Sequence, residues 1–210
     1  MKPIIQLIAT AAATVAFATS AIAAEAPDAL VKRISADVID TVKADKDIQA
    51  GNRARIMDLV NSKILPHVDA EKMTQQAAGR YWRQATPEQQ KQLIKEFTNL
   101  LVYTYAGALS QIKNETVEFK PFRAEANATD VEVRSQVNVS RGEPITLNYR
   151  LSNGPQGWKI YDINVLGAWL VQTYTSTFAS EIGKNGVDGL IKKLAERNQQ
   201  LASKPLKAPK

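Results

Sequence analysis

The residues of this chain that are best suited to acid–base chemistry are His67 and Asp162. His67 is the single histidine among 210 residues, and the chain has no cysteine. Within one chain, this excludes thiolate zinc sites, iron–sulfur clusters, cysteine nucleophiles and zinc sites built from several histidines. A Ser-His-Asp triad would have to use His67. No partnered nucleophile accompanies it, so the sequence favours a hydrogen-bonded histidine at a helix end over a general base.

Asp162 could serve as a general base in a deep pocket, assisted by Tyr149 and Tyr161. It lies in the middle of a predicted strand, however, and the alternation of that strand turns it away from the apolar face of the sheet. Arg150 is predicted to face the same side and to pair with it. No GxGxxG or P-loop sequence is present. The sequence therefore favours a structural role for Asp162.

The first 23 residues have the composition of a secretory signal peptide. Lys2 is the only charged residue among them, residues 4–18 are almost wholly apolar, and Ala21-Ile22-Ala23 offers small residues to a signal peptidase. A transmembrane anchor is the alternative, but the run is short, rich in alanine and interrupted by threonines. We expect an exported chain that begins at or near Ala24 and folds without disulfide bonds.

Helical spacing dominates the first half of this exported chain, and residues 24–198 are predicted to form a single domain. The sequence Thr86-Pro87-Glu88-Gln89 is a capping box that opens a helix running to about Ile112. Its apolar arc covers roughly 200°, so the helix is either buried on two sides or lines a cavity. Two further helices are expected after residue 169, and residues 199–210 are expected to be a disordered basic tail.

The hydrophobic period changes to strict alternation after residue 130. Together with a weaker segment at 116–122, the segments 131–139, 145–151 and 158–166 predict an antiparallel sheet with one apolar face. The fold class is therefore α+β, with about four strands. A three-residue loop at 141–143 and a similar second hairpin would give these pairs: Val139 with Ile145, Val137 with Leu147, Ser135 with Tyr149, Tyr149 with Tyr161, and Leu147 with Ile163.

Five stretches, in order along nearly the whole exported chain, resemble one known family. They are ILPHVD (64–69), GRYWRQATPEQ (79–89), FTNLLVYTYAGAL (97–109), GWKIYDINVLG (157–167) and GVDGLIKKLAERN (186–198). The family is MlaC, also called the toluene-tolerance family, of periplasmic phospholipid-binding proteins of Gram-negative bacteria. One departure is present: after Gly167 the family pattern has a small polar residue and then an arginine, where this chain has Trp169 and Thr175.

The resemblance implies a fold related to nuclear transport factor two, with a curved antiparallel sheet wrapped by helices around an apolar cavity. It implies a periplasmic carrier without catalysis or cofactor, whose cargo is phospholipid. Its implied partners are an outer-membrane lipoprotein complex with an MlaA-like protein and an inner-membrane ABC transporter with an MlaD-like subunit. Shuttling between them would maintain the lipid asymmetry of the outer membrane. A monomer is expected.

The net charge of +6 and the pI of about 9.4 indicate anionic partners. For an exported chain these are anionic membrane surfaces and not nucleic acid. Two other functions remain open: a small hydratase or isomerase that uses Asp162 with a tyrosine, and a periplasmic chaperone with an apolar peptide groove.

We expect the lipid to contact apolar and tyrosine side chains on the inner face of the sheet and on the helices that cover it. Ser135 is the only non-apolar residue on the inward face of its strand, and its small size is predicted to leave room for an acyl chain. The expected lipid-binding residues are Phe97, Leu101, Tyr105, Val133, Ser135, Val137, Leu147, Tyr149, Tyr161, Ile163, Leu170, Tyr174 and Phe178.

Overall fold

The first part of the fold is helical. A computed structural model of the chain describes residues 25–125, 127–139 and 142–206, so the expected signal peptide lies outside the described residues. The α-helices before the sheet are α1 (Pro27–Ala44), α2 (Lys46–Gln49), α3 (Arg53–Leu59), α4 (Ala70–Ala78) and α5 (Pro87–Tyr105). Tighter or wider turns connect them: a π-helical turn at Val60–Ile64 and 3-10 turns at Leu65–His67, Gly79–Gln84 and Ala106–Gln111.

A five-stranded sheet and one long helix complete the fold. The strands are β1 (Thr116–Phe119), β2 (Asp130–Asn138), β3 (Ile145–Gly154), β4 (Gly157–Val165) and β5 (Ala168–Trp169), followed by α6 (Leu170–Ala202). All neighbouring strands are antiparallel, in the order β1-β2-β3-β4-β5. The α+β class and the antiparallel meander are thus confirmed, and β5 adds a fifth, two-residue strand to the four expected.

The register between β2 and β3 differs by two residues from the predicted one. Ile145 pairs with Val137 and not with Val139, so Ser135 faces Leu147 and Val133 faces Tyr149. The predicted three-residue loop is wrong because Pro144, which has no N–H to donate to a ladder, lies between the loop and β3. A shift of two keeps every side chain on its predicted face.

A β-bulge shifts the register between β3 and β4. Arg150 pairs with Asp162, but the next residue of β3, Leu151, pairs with Ile160. Tyr161 is therefore the extra residue, and Tyr149 faces Ile163. The predicted pairs Tyr149 with Tyr161 and Leu147 with Ile163 are wrong because two shifts of one residue add together: the hairpin closes on Gly154 and Gly157, and Tyr161 bulges. The apolar alternation changes phase between Ile160 and Tyr161, a signal of the bulge that the prediction overlooked.

Two groups of buried apolar side chains hold the fold together. In the sheet cluster, α1 covers the apolar face of the sheet with help from α2 and α3; its members are Leu30, Val31, Ile34, Val38, Val42, Ile48, Ile56, Leu59, Val60, Ala106, Val133, Tyr149, Leu151, Ile160 and Leu206. In the helix cluster, α4, α5 and α6 pack on one another; its members are Met73, Ala77, Leu93, Phe97, Leu100, Val171, Phe178, Ile182, Leu190 and Leu194.

Helix α6 bends at Gly186, where φ is 71° and ψ is −179°. The two helices predicted for this region are therefore present as two halves joined at one glycine. The carboxylate of Glu181 in the first half accepts hydrogen bonds from Asn185 and from Lys193 in the second half. These contacts fix the angle at which the second half returns to α5.

Described residues beyond Gln199, within the stretch expected to be a disordered tail, contact the rest of the fold. Helix α6 continues to Ala202, and the side chain of Leu206 is buried in the sheet cluster. Arg53 of α3 donates a hydrogen bond of 2.9 Å to the carbonyl of Lys204. One apolar side chain and one arginine contact thus dock a segment whose lysines and prolines suggested disorder.

We expect Thr86→Ala to lower the free energy of unfolding by about 1 kcal/mol. The predicted capping box is confirmed: the N–H of Gln89 donates to the Thr86 hydroxyl at 3.2 Å, and the N–H of Thr86 donates to the Gln89 side chain at 2.9 Å. Urea denaturation measures the change. Thr86→Ser keeps the acceptor and serves as the control, and an alanine variant as stable as the serine variant would contradict the prediction.

Candidate functional site

An apolar cavity of about 180 Å³ lies among the helices. Nearly every side chain in its wall is a hydrocarbon, and Thr98 and Tyr105 carry the hydroxyl groups. The lining residues are Val60, Ile64, Leu65, Val68, Met73, Thr98, Leu101, Val102, Tyr105, Ala106, Leu109 and Leu170. Such a wall offers burial without directional recognition, which suits a ligand made of methylene groups.

Helix α5 contributes to the cavity with one flank and to the core with the other. Leu93, Phe97 and Leu100 are buried in the helix cluster. Leu101 and Tyr105, on the neighbouring flank, line the cavity. The wide apolar arc of this helix therefore serves two purposes: one part is buried in the core, and the neighbouring part lines the cavity.

The cavity lies at the junction between the sheet cluster and the helix cluster. Val60 belongs to the sheet cluster, and Val102 and Leu109 pack against it. Across the cavity, Met73 belongs to the helix cluster, and Leu101 packs against that cluster. The empty space thus marks the line along which two separately packed units meet.

Irregular helical turns form the wall opposite α5. Val60 and Ile64 belong to the π-helical turn, and Leu65 to the 3-10 turn that follows and contains Pro66. A π turn is wider than an α turn and often accompanies a binding site. Helical spacing indicated an ordinary short helix here, so the sequence reasoning missed these three lining residues, although their apolar character was visible.

Three of the expected lipid-binding residues line the cavity: Leu101, Tyr105 and Leu170. Three others, Phe97, Tyr174 and Phe178, form an aromatic group between α5 and α6. The ring of Phe97 lies edge-on to those of Tyr174 and Phe178, with centroids 5.1 and 4.9 Å away. Burial raises the pKa of the Tyr174 hydroxyl to about 12. Leu101 of the cavity wall packs against the cluster that contains Phe97 and Phe178. The aromatic group therefore supports the cavity from behind.

The expected residues of the sheet face do not line the cavity. Val133 and Tyr149 are buried in the sheet cluster, and Leu147 and Ile163 pack against it. Val137 is half-buried at the end of β2. The reason is α1, whose apolar stripe occupies the surface that was expected to face the lipid.

The space beside Ser135 is filled by protein. The Ser135 hydroxyl donates a hydrogen bond to the carbonyl of Leu147, its partner across the ladder. Tyr149, one pair further along the strands, is buried in the sheet cluster, and burial raises the pKa of its hydroxyl to about 12. The small side chain of Ser135 is itself only 3% exposed.

Tyr161, the bulged residue, belongs to a polar contact on the other side of β4 and is no part of the cavity wall. Its hydroxyl donates to a carboxylate oxygen of Asp130 at 2.7 Å. The ammonium group of Lys72 lies 3.9 Å from the ring centroid and also binds Asp130 at 2.9 Å. Its placement as a lipid contact rested on the predicted pairing with Tyr149, whose partner is Ile163.

Asp162 caps a helix. One carboxylate oxygen accepts hydrogen bonds from the N–H groups of Ile163, at 2.9 Å, and of Val171 in the first turn of α6, at 3.0 Å. The other oxygen lies 3.7 Å from the guanidinium of Arg150, so the predicted pairing is confirmed. Burial raises the pKa of Asp162, opposed by the two hydrogen bonds and by Arg150. A raised pKa fits a general base, but this carboxyl does not line the apolar cavity.

His67 ends the 3-10 turn beside the cavity wall but does not line the cavity. Burial, and next the charge of Arg33, lower the pKa of His67. Among the described residues, no group of three or more His, Cys, Asp or Glu is placed to hold a metal ion. In the same part of the chain, no helix is long and apolar enough to cross a membrane.

We expect His67→Ala to fold and to bind as much phospholipid as the unaltered protein. Because the folded-state pKa of His67 is lowered, the unfolded chain takes up a proton first as pH falls below about 6.5, and His67 then costs stability. The melting temperature should therefore fall less steeply in the variant than in the unaltered protein between about pH 7 and pH 5. A folded variant that has lost its lipid would contradict this account of His67.

Comparison with known proteins places the chain beside phospholipid-binding relatives. The family model described as MlaC protein matches residues 32–196. The intermembrane phospholipid transport system binding protein MlaC of Haemophilus influenzae is 24% identical over 190 residues, which are 89% of this chain and 87% of that protein. The toluene tolerance protein ttg2D of Pseudomonas putida is 26% identical over 202 residues, 93% of this chain and 94% of that protein.

One solved structure resembles the chain in both sequence and fold. It is the phospholipid-binding protein from Ralstonia solanacearum in complex with a phospholipid, which is 51% identical. The match has a TM-score of 0.79 and covers 84% of this chain and 98% of that one.

Proposed function

The chain belongs to the MlaC family, and on that basis we propose that it is a periplasmic carrier that holds a phospholipid in its interior and moves it between the outer and inner membranes. The observation that carries the proposal is the hydrocarbon-lined cavity at the junction of the two clusters. The relative from Ralstonia solanacearum, solved with a phospholipid, supports the choice of cargo.

The chemistry of the wall suits loading and unloading. Two acyl chains hold about 30 methylenes, and removing them from water gains roughly 25 kcal/mol at about 0.8 kcal/mol each. A bilayer offers nearly the same environment, so exchange between membrane and protein is close to neutral. The charged headgroup stays in water, since burying it unpaired would be costly.

Acyl chains need more room than the cavity has. Its volume of about 180 Å³ is below the roughly 300–1,000 Å³ of pockets that enclose drug-sized ligands. We propose that lipid entry moves the sheet cluster and the helix cluster apart. Val60, Val102 and Leu109 then form the second wall. The residues of the inner sheet face, Val133, Ser135, Val137, Leu147, Tyr149 and Ile163, support this wall from behind α1, and Phe97, Tyr174 and Phe178 support the first.

The proposed partners follow from the transport route. They are an outer-membrane lipoprotein complex containing an MlaA-like protein and an inner-membrane ABC transporter with an MlaD-like subunit. A monomeric carrier exchanging lipid with both would help to maintain outer-membrane asymmetry. No nucleic-acid partner is proposed, because export directs the positive charge of the chain toward anionic membrane surfaces.

We expect the mature protein to begin at or near Ala24 and to fractionate with the periplasm, because residues 1–23 have the composition of a cleavable signal peptide. N-terminal sequencing of the protein from fractionated cells tests this. A membrane-embedded product that starts at Met1 would contradict it.

Organic extraction of the purified protein, followed by mass spectrometry, tests the proposed function. A carrier releases diacyl phospholipid at near one molecule per chain. A peptide-binding chaperone releases peptide, and a hydratase or isomerase releases a small metabolite or nothing. The position of Asp162, which is engaged in capping α6, counts against the enzyme. The hydrocarbon wall, which offers no row of backbone partners for a peptide, counts against the chaperone.

A further inference from the structure

The turn between β4 and β5 carries a residue that its backbone disfavours. Leu166 and Gly167 form a two-residue loop closed by the pair Val165 and Ala168. Their φ values are 53° and 88°, as in a type I′ turn, whose first central position favours Asn, Asp or Gly. Within the described ranges, Leu166 is the only residue other than glycine with a positive φ.

The backbone of Leu166 is held by a hydrogen bond, whereas its side chain is exposed. The side chain is 72% exposed, and no other large apolar side chain is exposed among the described residues. Its N–H donates to the carbonyl of Thr146 at 3.1 Å, and the N–H of Gly167 donates to the buried side chain of Asn164 at 3.0 Å. Neither turn geometry nor core packing explains a leucine here. Strain and exposure at one residue point to a contact outside the fold.

The surroundings of Leu166 have the chemistry of a membrane interface. Trp169, three residues further on, is half-buried, and the guanidinium of Arg150 lies 3.8 Å from its ring. The Arg150 side chain remains 38% exposed although it also pairs with Asp162. Tryptophan and arginine, each with an apolar body and a polar end, favour the headgroup layer of a bilayer. Leu170, the next residue, lines the cavity.

We infer that the β4–β5 turn is a membrane-contact site, where Leu166 enters the apolar edge of a phospholipid bilayer while Trp169 and Arg150 lie among the headgroups. The inference deepens the proposed function and rests on it, since a lipid carrier must bring its cavity to a membrane. A bilayer accepts a single leucine without a complementary pocket, whereas a stable protein interface needs a surface far larger than one side chain. The excess of Lys and Arg in the chain favours an anionic lipid surface.

Leu166→Asn separates membrane contact from folding and from cargo. Asparagine suits the positive φ, so the variant should unfold at the same or a higher temperature and should still release phospholipid on extraction. Flotation with vesicles of phosphatidylethanolamine and phosphatidylglycerol should show its bound fraction reduced about tenfold or more, the effect of losing one buried leucine. Leu166→Met, which restores an apolar side chain, is the matched control and should bind as the unaltered protein does.

The outcomes distinguish failure of the membrane-contact site from failure of the proposed carrier function. Equal vesicle binding by the asparagine and methionine variants, with lipid content retained, overturns the membrane-contact site and leaves the carrier intact. Slower lipid exchange with a protein partner at unchanged vesicle binding also overturns it, in favour of docking on protein. The unaltered protein binding vesicles while releasing no phospholipid on extraction would overturn the carrier and keep the turn as a membrane-binding element.

Discussion

Replacing Leu101 with tryptophan is expected to remove most of the phospholipid that co-purifies with the protein while leaving the lipid-free fold intact. Leu101 lines the cavity, so the larger ring would extend into empty space instead of into packed atoms. We expect at least a tenfold fall in lipid per chain, measured by organic extraction and mass spectrometry. The melting temperature of the delipidated variant should be nearly unchanged, because the space it fills is a void.

Ser135→Trp is the control, in which a tryptophan is placed at a packed site. Ser135 is 3% exposed, and its hydroxyl donates to the carbonyl of Leu147 across the sheet ladder. The free energy of unfolding of the delipidated variant should therefore fall by about 1–3 kcal/mol or more, as is typical of overpacking. If the Leu101 variant keeps its lipid, or if Ser135→Trp melts normally and loses lipid, the cavity has been placed in the wrong part of the molecule.

Replacing Phe97 with alanine is expected to destabilise the protein by about 3–5 kcal/mol. The Phe97 side chain is fully buried and contacts two aromatic rings edge-on, so its loss removes packing and leaves a void between α5 and α6. Urea denaturation of the delipidated protein measures the change. Its magnitude approaches the whole stability of a typical domain.

Phe97→Leu keeps most of the volume and is expected to lose clearly less stability than the alanine variant. Lipid binding should follow the fraction of folded protein in both variants, because Phe97 supports the cavity without lining it. An alanine variant of normal stability that binds no lipid would instead make Phe97 a direct contact of the cargo.

Local features were predictable from the sequence because their causes lie within a few residues. The capping box at Thr86 is one example, and the faces of β2 and β3 are another. The two-residue slip between those strands was not predictable from alternation, which cannot distinguish registers of the same parity. The bulge at Tyr161 did leave a signal, because Ile160 and Tyr161 are adjacent apolar residues that change the phase of the alternation in β4.

The position of the cavity depended on which apolar surfaces pair, and that is a tertiary property. The arc of α5 and the helix that begins at Leu170 were expected to face the inner side of the sheet, but α1 occupies it. Leu101 and Tyr105 were found because the arc of α5 was wider than one contact surface needs. Ile64 and Leu65 were missed because their turn departs from the α-helical period used to identify faces.

Photo-crosslinking with a phospholipid that carries a diazirine in its acyl chain tests most directly whether the chains lie between the sheet cluster and the helix cluster. After loading, irradiation and digestion, the account predicts labelled peptides from α5 and the following 3-10 turn, above all at Leu101, Tyr105 and Leu109, and from the π-helical turn with Val60 and Ile64. Labelling confined to the polar side of the sheet or to exposed helix faces, with these peptides unmodified, would contradict it.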